Sequence, residues 1–444
     1  MERWGIDDDR LRALLALVRR DAADGLDDAD GLDDADGPDD ADGPDDADGP
    51  DDTDELDRLV ARVVWSVLVE PGDRVAGLLI DRLGEAESAM LVIGGASAGD
   101  LVRRLPAELT LDEAESGLAR WRPRMRWPDM LRALEGAVRC GAQLLVPGDP
   151  GWPDGLLALT EKQPVLLWTR GDARLLRRPA IGGAGARAAT GYGEHVAMEL
   201  AAGLAARDAV VISGGAYGID GMAHRAALAS GGATVAVLAG GLDRLYPSGH
   251  EALLTRIAEQ GLLVSEAPCG SAPTKWRFLQ RNRLIAALTD ATVVVEAGRR
   301  SGALNTANHA LEMGRPVGLV PGPVTSAASA GCHHLLRTLD TTLITGVADV
   351  MRLAYGDDGV LPVDELDGGS GGHLAARNPL HVRVLDALRP RRGMLVEEVA
   401  RSVGESPATV RGALGELELD GDVVHGQDGL WRRAADRASE RTAS

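Results

Sequence analysis

From residue 143 onward the chain is built of short β-branched or aliphatic runs, at 143–146, 165–168, 209–212, 234–238, 262–264, 291–295 and 316–320, with helical stretches between them. Strands that alternate with helices return to one sheet through crossovers, and this yields a mostly parallel sheet covered on both faces. The fold class that follows is α/β: a mostly parallel sheet domain over 141–353. Such sheets bind ligands in the crevice at the carboxyl ends of their strands, so the glycine turns that follow these strands are the places to look for chemistry.

The remaining sequence divides readily. With 444 residues, 45% of them hydrophobic and 26% charged, there is room for two or three domains. Apolar residues recur at helical spacing through Leu59, Val63, Val64 and Val67, and Pro71-Gly72 breaks the pattern, which predicts a small helical domain over 58–140. No apolar run approaches the length of a membrane span, and the first residues, MERWGIDDDR, lack the basic-then-apolar order of a secretion signal. A cytoplasmic protein with no membrane partner is expected. Cys140, Cys269 and Cys332 lie far apart without a CxxC pair, so no disulfide framework, cysteine zinc site or redox chemistry is expected.

The net charge of −21 is concentrated in one place. Residues 21–57 hold 18 Asp and one Glu with no Lys or Arg, mostly as the hexads DGLDDA and DGPDDA, and the rest of the chain is close to neutral. Dense like charge with recurring Gly and Pro predicts an extended, disordered tract inside an N-terminal segment, 1–57. Its spacing matches neither the EF-hand loop nor the glycine-rich nonapeptide repeat, so a solvated tail is favoured over a calcium site.

A Gly- and Asp-rich linker at 354–376 leads to a compact unit at 377–434. Val399 and Val403 mark one helix, Ser406-Pro407 caps the next, Val410, Leu414 and Leu417 give it an apolar stripe, and Val423-Val424 with Leu430-Trp431 flank a turn. This is a winged helix-turn-helix pattern. Its second helix carries Arg411 against Glu416, Glu418 and Asp420, the wrong sign for phosphate, so a protein-contact or structural role is favoured over duplex binding.

Several segments of the sheet domain carry chemistry. Gly183, Gly185 and Ala188 formally fit G-x-G-x-x-A, but Asp208 precedes the second strand instead of ending it, which argues against a dinucleotide cofactor. The loop does offer Arg187 and Thr190 at a helix N-terminus, an anion site. Ser213, Gly214, Gly215 and Gly218 would let a backbone approach a phosphate, while Asp220 and His224, four apart on one helix face, suit a structural hydrogen bond or a cap better than catalysis. Between Lys275 and Arg283, four positive charges stand in nine residues, interleaved with Trp276 and Phe278, the only phenylalanine. Cations that follow a backbone and ring faces that stack on bases are the two ingredients of single-strand recognition, although a solvated basic loop with aromatics turned inward explains the pattern equally well. Glu296, at a strand end, suits a general base, a ribose ligand or an acceptor for the turn at Ser301 and Gly302, the last being slightly favoured. Tandem His333-His334 lacks metal-ligand spacing.

Taken together, Gly185-x-Arg187-x-x-Thr190-x-Tyr192-Gly193, SGGAYGIDGMAHRAAL, Gly241-Leu-Asp-x-x-Tyr246-Pro247, Ser265-Glu266-x-Pro268-x-Gly270, Phe278-x-x-Arg281-Asn282-Arg283, Val295-Glu296-Ala297 with SGALNTA, and Gly314-Arg315-x-Val317-x-x-Val320-Pro321-Gly322 resemble the DNA-processing protein A (DprA, or Smf) family. Glu70-Pro-Gly-Asp73 and the C-terminal winged helix agree with it. The resemblance implies a non-catalytic, single-stranded DNA-binding recombination mediator, without cofactor or metal, that protects incoming strands and helps load RecA in transformation and recombination, and that dimerises through an extended Rossmann domain. It also implies phosphate contacts by Arg187 and Lys275, a base contact by Phe278, backbone donors from Ser213 to Gly218, and support from Arg281 and Arg283. The sequence departs from the family pattern in the Gly- and Ala-rich run before Arg187, in Leu279 where proline is common, and in the acidic hexads.

The alternative is a small-nucleotide-binding Rossmann protein or a nucleoside-phosphate hydrolase of the lysine-decarboxylase-like type. The nearest equivalent of that group's P-G-G-x-G-T-x-x-E stretch, Ser213 to Asp220, has no Thr-x-x-Glu and so lacks the acid.

Overall fold

A computed structural model describes residues 8–24, 52–356, 379–388, 393–403, 405–419, 422–426 and 428–433. The hexads at 25–51 and most of the linker lie outside the described residues. The chain separates into two units, one up to Leu361 and one from Pro362.

The first unit is organised by a nine-stranded sheet of β1 (Gln143–Leu145), β2 (Leu167–Gly171), β3 (Ala180–Ala184), β4 (Val210–Ser213), β5 (Thr234–Leu238), β6 (Leu262–Ser265), β7 (Ala291–Val294), β8 (Val317–Leu319) and β9 (Thr342–Leu343). Its spatial order is β1-β2-β6-β5-β4-β3-β7-β8-β9. The two pairings made by β2 are antiparallel and the others are parallel, as the alternation of strands and helices requires. From β3 the chain builds outward through β4, β5 and β6, then returns to the other side of β3 for β7. The order therefore reverses between β3 and β7, where a crevice opens at the carboxyl ends of both strands.

Strand β3 is absent from the apolar runs because its sequence is Ala-Ile-Gly-Gly-Ala. A side chain at Gly182 would press on the hydroxyls of Thr289 and Thr292, at 3.0 and 3.3 Å from its Cβ. Close packing under the sheet thus selects glycine at a position where strand propensity would disfavour it.

Six helices, Asp52–Leu68, Arg74–Leu83, Glu85–Ile93, Ala98–Arg104, Leu111–Trp121 and Trp127–Cys140, form the helical layer. Their starts are written in the sequence: Asp73 accepts from Val75 and Ala76 N–H groups, and Ser97 with Asp100 and Thr110 with Glu113 close capping boxes. Trp65 and Trp121 meet edge to face at 5.2 Å in its interior. Its core is continuous with the sheet, since Trp65, Leu79 and Leu134 share a cluster with Leu144, Trp168 and Leu263.

One further helix, Asp8–Asp24, was hidden by the acid that follows it. Leu11, Leu15 and Val18 are buried in the same core, and Arg19 makes two hydrogen bonds to Asp149, at 2.6 and 3.0 Å. A described helix thus precedes the hexads, and the helical layer resumes at Asp52, earlier than the expected boundary at 58.

The second unit contains helices Pro379–Ala387, Val396–Val403 and Pro407–Leu419 and the antiparallel pair β10 (Val423–His425) and β11 (Trp431–Arg433). Val399, Val403, Val410, Leu414, Leu417, Val423 and Trp431 build its core. Ser406 caps the third helix, its Oγ accepting from the Thr409 N–H at 3.1 Å. Gly421 and Asp420 lie outside the described residues.

Candidate nucleic-acid interface

Three segments meet at the crevice between β3 and β7: the loop after β3, the first turns of the helix Lys275–Ala287, and the loop after β7. They enclose a cleft of about 890 Å³. Glu296, fully buried just past β7, joins two of them, because one carboxylate oxygen accepts the Thr190 N–H at 2.9 Å and the other its hydroxyl at 2.5 Å. Thr190 in turn caps the helix Gly191–Ala205. Glu296 is therefore a fastener for the loop that carries Arg187, and its partner is Thr190 instead of the expected turn at Ser301 and Gly302. Thr274 caps the third segment by accepting the Arg277 N–H.

Phe278 stands at the centre of the cleft. The Arg187 guanidinium lies 4.8 Å from its ring centroid, that of Arg281 5.8 Å, and the Tyr246 ring 5.8 Å at a 56° tilt. Arg187 and Lys275 are exposed, and so are Arg299 and Arg300 in the loop after β7, which line the same cleft. Among the described residues, none of these four cations is paired with a carboxylate. Free cations around a half-buried phenylalanine and an exposed tyrosine attract a polyanion with flat bases.

Arg281 lines the cleft but works from beneath it. Its guanidinium donates to the Gly214 carbonyl at 2.6 Å and to the Val237 carbonyl, and only 6% of the residue is exposed. Burial lowers its pKa to about 10, with Asp220 opposing and Arg187 reinforcing that shift, so it remains a cation. Burial likewise raises the pKa of Asp220.

That carboxylate changes the meaning of the glycine turn. Asp220 accepts the N–H groups of Gly214 and Ala216, at 3.2 and 3.3 Å, and the hydroxyl of fully buried Ser213 donates to the Gly183 carbonyl at 2.7 Å. An internal carboxyl group thus occupies two of the donors that a phosphate would need. Ser213, Gly214, Gly215 and Gly218 do not line the cleft, and only Ala216 of this turn does. The glycines serve close packing: a side chain at Gly218 would lie 2.3 Å from the Ala186 carbonyl, and one at Gly214 would strike the Arg281 guanidinium. Asp220 and His224 do not pair, since His224 Nδ1 meets Thr234 Oγ1 at 2.7 Å.

Arg283 is not brought to the cleft either. It is 1% exposed, bonds both oxygens of Glu266 at 2.7 and 2.8 Å, and donates to the Lys162 carbonyl. Helical geometry explains the split, because two residues along a helix reverse the direction of the side chain, and Arg281 and Arg283 face opposite ways. Arg277 also turns aside, to Glu70 of the Glu70-Pro-Gly-Asp73 turn at 2.9 and 3.0 Å, and couples the helical layer to the cleft helix. Trp276 is 54% exposed and outside the cleft lining.

Sequence reasoning missed Tyr246, Arg299 and Arg300. The signal for the arginines was the polar turn Gly298-Arg-Arg-Ser, read only for Glu296. No group of His, Cys, Asp and Glu among the described residues is arranged to hold a metal, and no helix there is long and apolar enough to cross a membrane.

The chain is similar to known proteins along most of its length. Residues 143–354 match the family described as DNA recombination-mediator protein A, and residues 372–429 match the DprA winged helix domain. A DprA-type DNA processing protein of Mycobacterium tuberculosis is 44% identical over 379 residues, 83% of this chain and 92% of the relative. The Smf protein of Escherichia coli is 36% identical over 63% of this chain and 75% of its own length. Among solved structures, DprA of Streptococcus pneumoniae superposes with a TM-score of 0.53 at 28% identity, covering 66% of this chain and 96% of that one. With 44% identity across 92% of the Mycobacterium tuberculosis relative and both DprA domains matched in order, this chain belongs to the DprA/Smf family of DNA processing proteins.

Proposed function

We propose that this protein binds single-stranded DNA in the cleft between β3 and β7 and acts in the cytoplasm as a recombination mediator, protecting the strand and assisting RecA to load on it, as a homodimer without a cofactor. One observation carries the reading: Arg187, Lys275, Arg299 and Arg300 surround Phe278 and Tyr246 without carboxylate partners. The cations would follow the phosphates, and a base would stack on the exposed part of the phenylalanine ring. Arg281 supports the site from below and Arg283 acts outside it. Membership in a family described as recombination mediators supports the assignment of RecA as partner.

A hydrolytic reading fares worse. Asp220, the carboxylate among the residues lining the cleft, accepts two backbone N–H groups on its Oδ2, and buried Glu296 gives both its oxygens to Thr190. Neither is placed to activate water or protonate a leaving group.

The test is fluorescence anisotropy of a labelled oligo-dT and a matched duplex at two salt concentrations, with the wild type and Phe278→Ala. Preferred, salt-dependent binding of the single strand that weakens in the variant is expected. Equal binding of both DNAs, or binding indifferent to Phe278, would overturn the assignment of the cleft.

A further inference from the structure

Cys140 and Cys269 are 129 residues apart in sequence and 3.9 Å apart from sulfur to sulfur. Cys140 ends the helix Trp127–Cys140, and Cys269 lies in the connection from β6 to the helix Lys275–Ala287. The approach of helix and connection is close enough that a side chain at Gly136, one turn before Cys140, would come within 2.8 Å of Cys269 Cβ. Their sequence separation, which argued against redox chemistry, concealed this contact.

We infer that Cys140 and Cys269 are a peroxide-responsive thiol pair that closes to an intramolecular disulfide. The two thiols differ in the way the chemistry needs. Cys140 is partly exposed, and the Cys269 thiol 3.9 Å away holds its pKa below the ordinary thiol range by hydrogen bonding to it, so Cys140 is the member of the pair suited to react as an accessible thiolate. Cys269 is buried, with its thiol pKa pushed up by that same pairing and by burial. The Cys140 thiolate attacks one oxygen of hydrogen peroxide, the O–O bond breaks, hydroxide leaves, and a sulfenic acid forms. The Cys269 sulfur then attacks the sulfenic sulfur, the S–S bond forms as the S–OH bond breaks, and the departing hydroxide leaves with the Cys269 proton as water. Two thiols lose two electrons in total, and peroxide is reduced to water.

The bond would strap the helical layer to the segment that launches the cleft helix. That segment is already held by Gly270 N–H on Asp243 at 2.8 Å, by Gly241 N–H on the Ser271 carbonyl at 2.9 Å and by Arg277 on the Ala272 carbonyl at 2.9 Å. Cys332 provides an internal control: it is buried against the Val294 carbonyl with no thiol beside it, and burial raises its pKa to about 11.

The experiment treats the full reduced chain with hydrogen peroxide, alkylates the remaining thiols after denaturation, and maps peptides by mass without reductant. The expected result is a peptide joining Cys140 to Cys269, a loss of two alkylatable thiols that dithiothreitol restores, and an alkylated Cys332. In Cys269→Ser, Cys140 should be trapped as sulfenic acid by a dimedone reagent, and in Cys140→Ser, Cys269 should stay reduced. Over-oxidation of Cys140 in the wild type without a joined peptide, or oxidation of Cys332 at the same rate, would overturn the inference.

Discussion

Glu296 and Thr190 meet across the point where strand order reverses, with the threonine giving both its N–H and its hydroxyl to one fully buried carboxylate. The contact fixes the loops after β3 and β7 to each other, and those loops carry Arg187 on one side of the cleft and Arg299 and Arg300 on the other. Thr190→Val keeps the shape, removes the hydroxyl donor and the helix cap, and leaves the carboxylate short of a partner. The expected cost is about 1 to 3 kcal/mol, read as a lower urea midpoint at unchanged slope. Thr190→Ser, which retains the donor, should stay close to wild type, and a valine variant as stable as the serine one would refute the fastening role.

Acid should weaken the fold through His224. The ring is wholly buried, its pKa is depressed to about 3 by burial first and by neighbouring cations second, and it meets Thr234 at 2.7 Å. Because the Thr234 hydroxyl donates to the Val211 carbonyl at 2.7 Å, it can only accept from His224, which places the imidazole proton on Nδ1. Between pH of about 6.5 and 3 the unfolded chain binds a proton at this residue that the folded chain refuses, so stability falls as pH drops through that window. Urea midpoints measured from pH 7 to 4 should decline in the wild type and decline less in His224→Leu.

The sheet was legible because strands buried on both faces need unbroken apolar runs, and the runs that became β4, β5, β6 and β7 are buried along their whole length. Strand β3 escaped notice because glycine at 182 answers a packing demand from Thr289, a residue more than 100 positions away. Charge type was equally legible and charge direction was not. Arg281 and Arg283 read alike in sequence, yet one lies under Phe278 and the other binds Glu266, a distinction that depends on helix phase and on what each face meets. The inward setting of the glycine turn at Ser213 to Gly218 was hidden for a related reason, because the Asp220 carboxyl that takes the Gly214 and Ala216 N–H groups belongs to the next helix.

Arg187 and Phe278 should be energetically coupled. The guanidinium covers the ring at 4.8 Å, so each positions the other before DNA arrives. Phe278→Ala should weaken oligo-dT binding by about 1 to 3 kcal/mol if one base stacks on the ring. Arg187→Gln should remove one phosphate contact and flatten the dependence of log affinity on log salt by about 0.7. In the double variant the losses should fall short of their sum by at least about 0.5 kcal/mol, whereas strict additivity would mean that the two residues act at separate points on the strand.

The acidic hexads bear on the same cleft through charge. Residues 25–51 carry thirteen aspartates and no cation, between helices Asp8–Asp24 and Asp52–Leu68, which belong to the folded body. A tethered polyanion competes with DNA for unpaired arginines and lysines, and the competition is strongest when the Debye length is long, about 30 Å at 0.01 M salt against 10 Å at 0.1 M. Replacing 25–51 with a Gly-Ser linker of equal length preserves both helices and removes only the charge. The variant should bind oligo-dT several-fold more tightly than the wild type at low salt, and the difference should close as salt rises. Equal affinity at every salt concentration would show that the tract does not reach the cleft, and an advantage that persists at high salt would point to a steric effect instead of an electrostatic one.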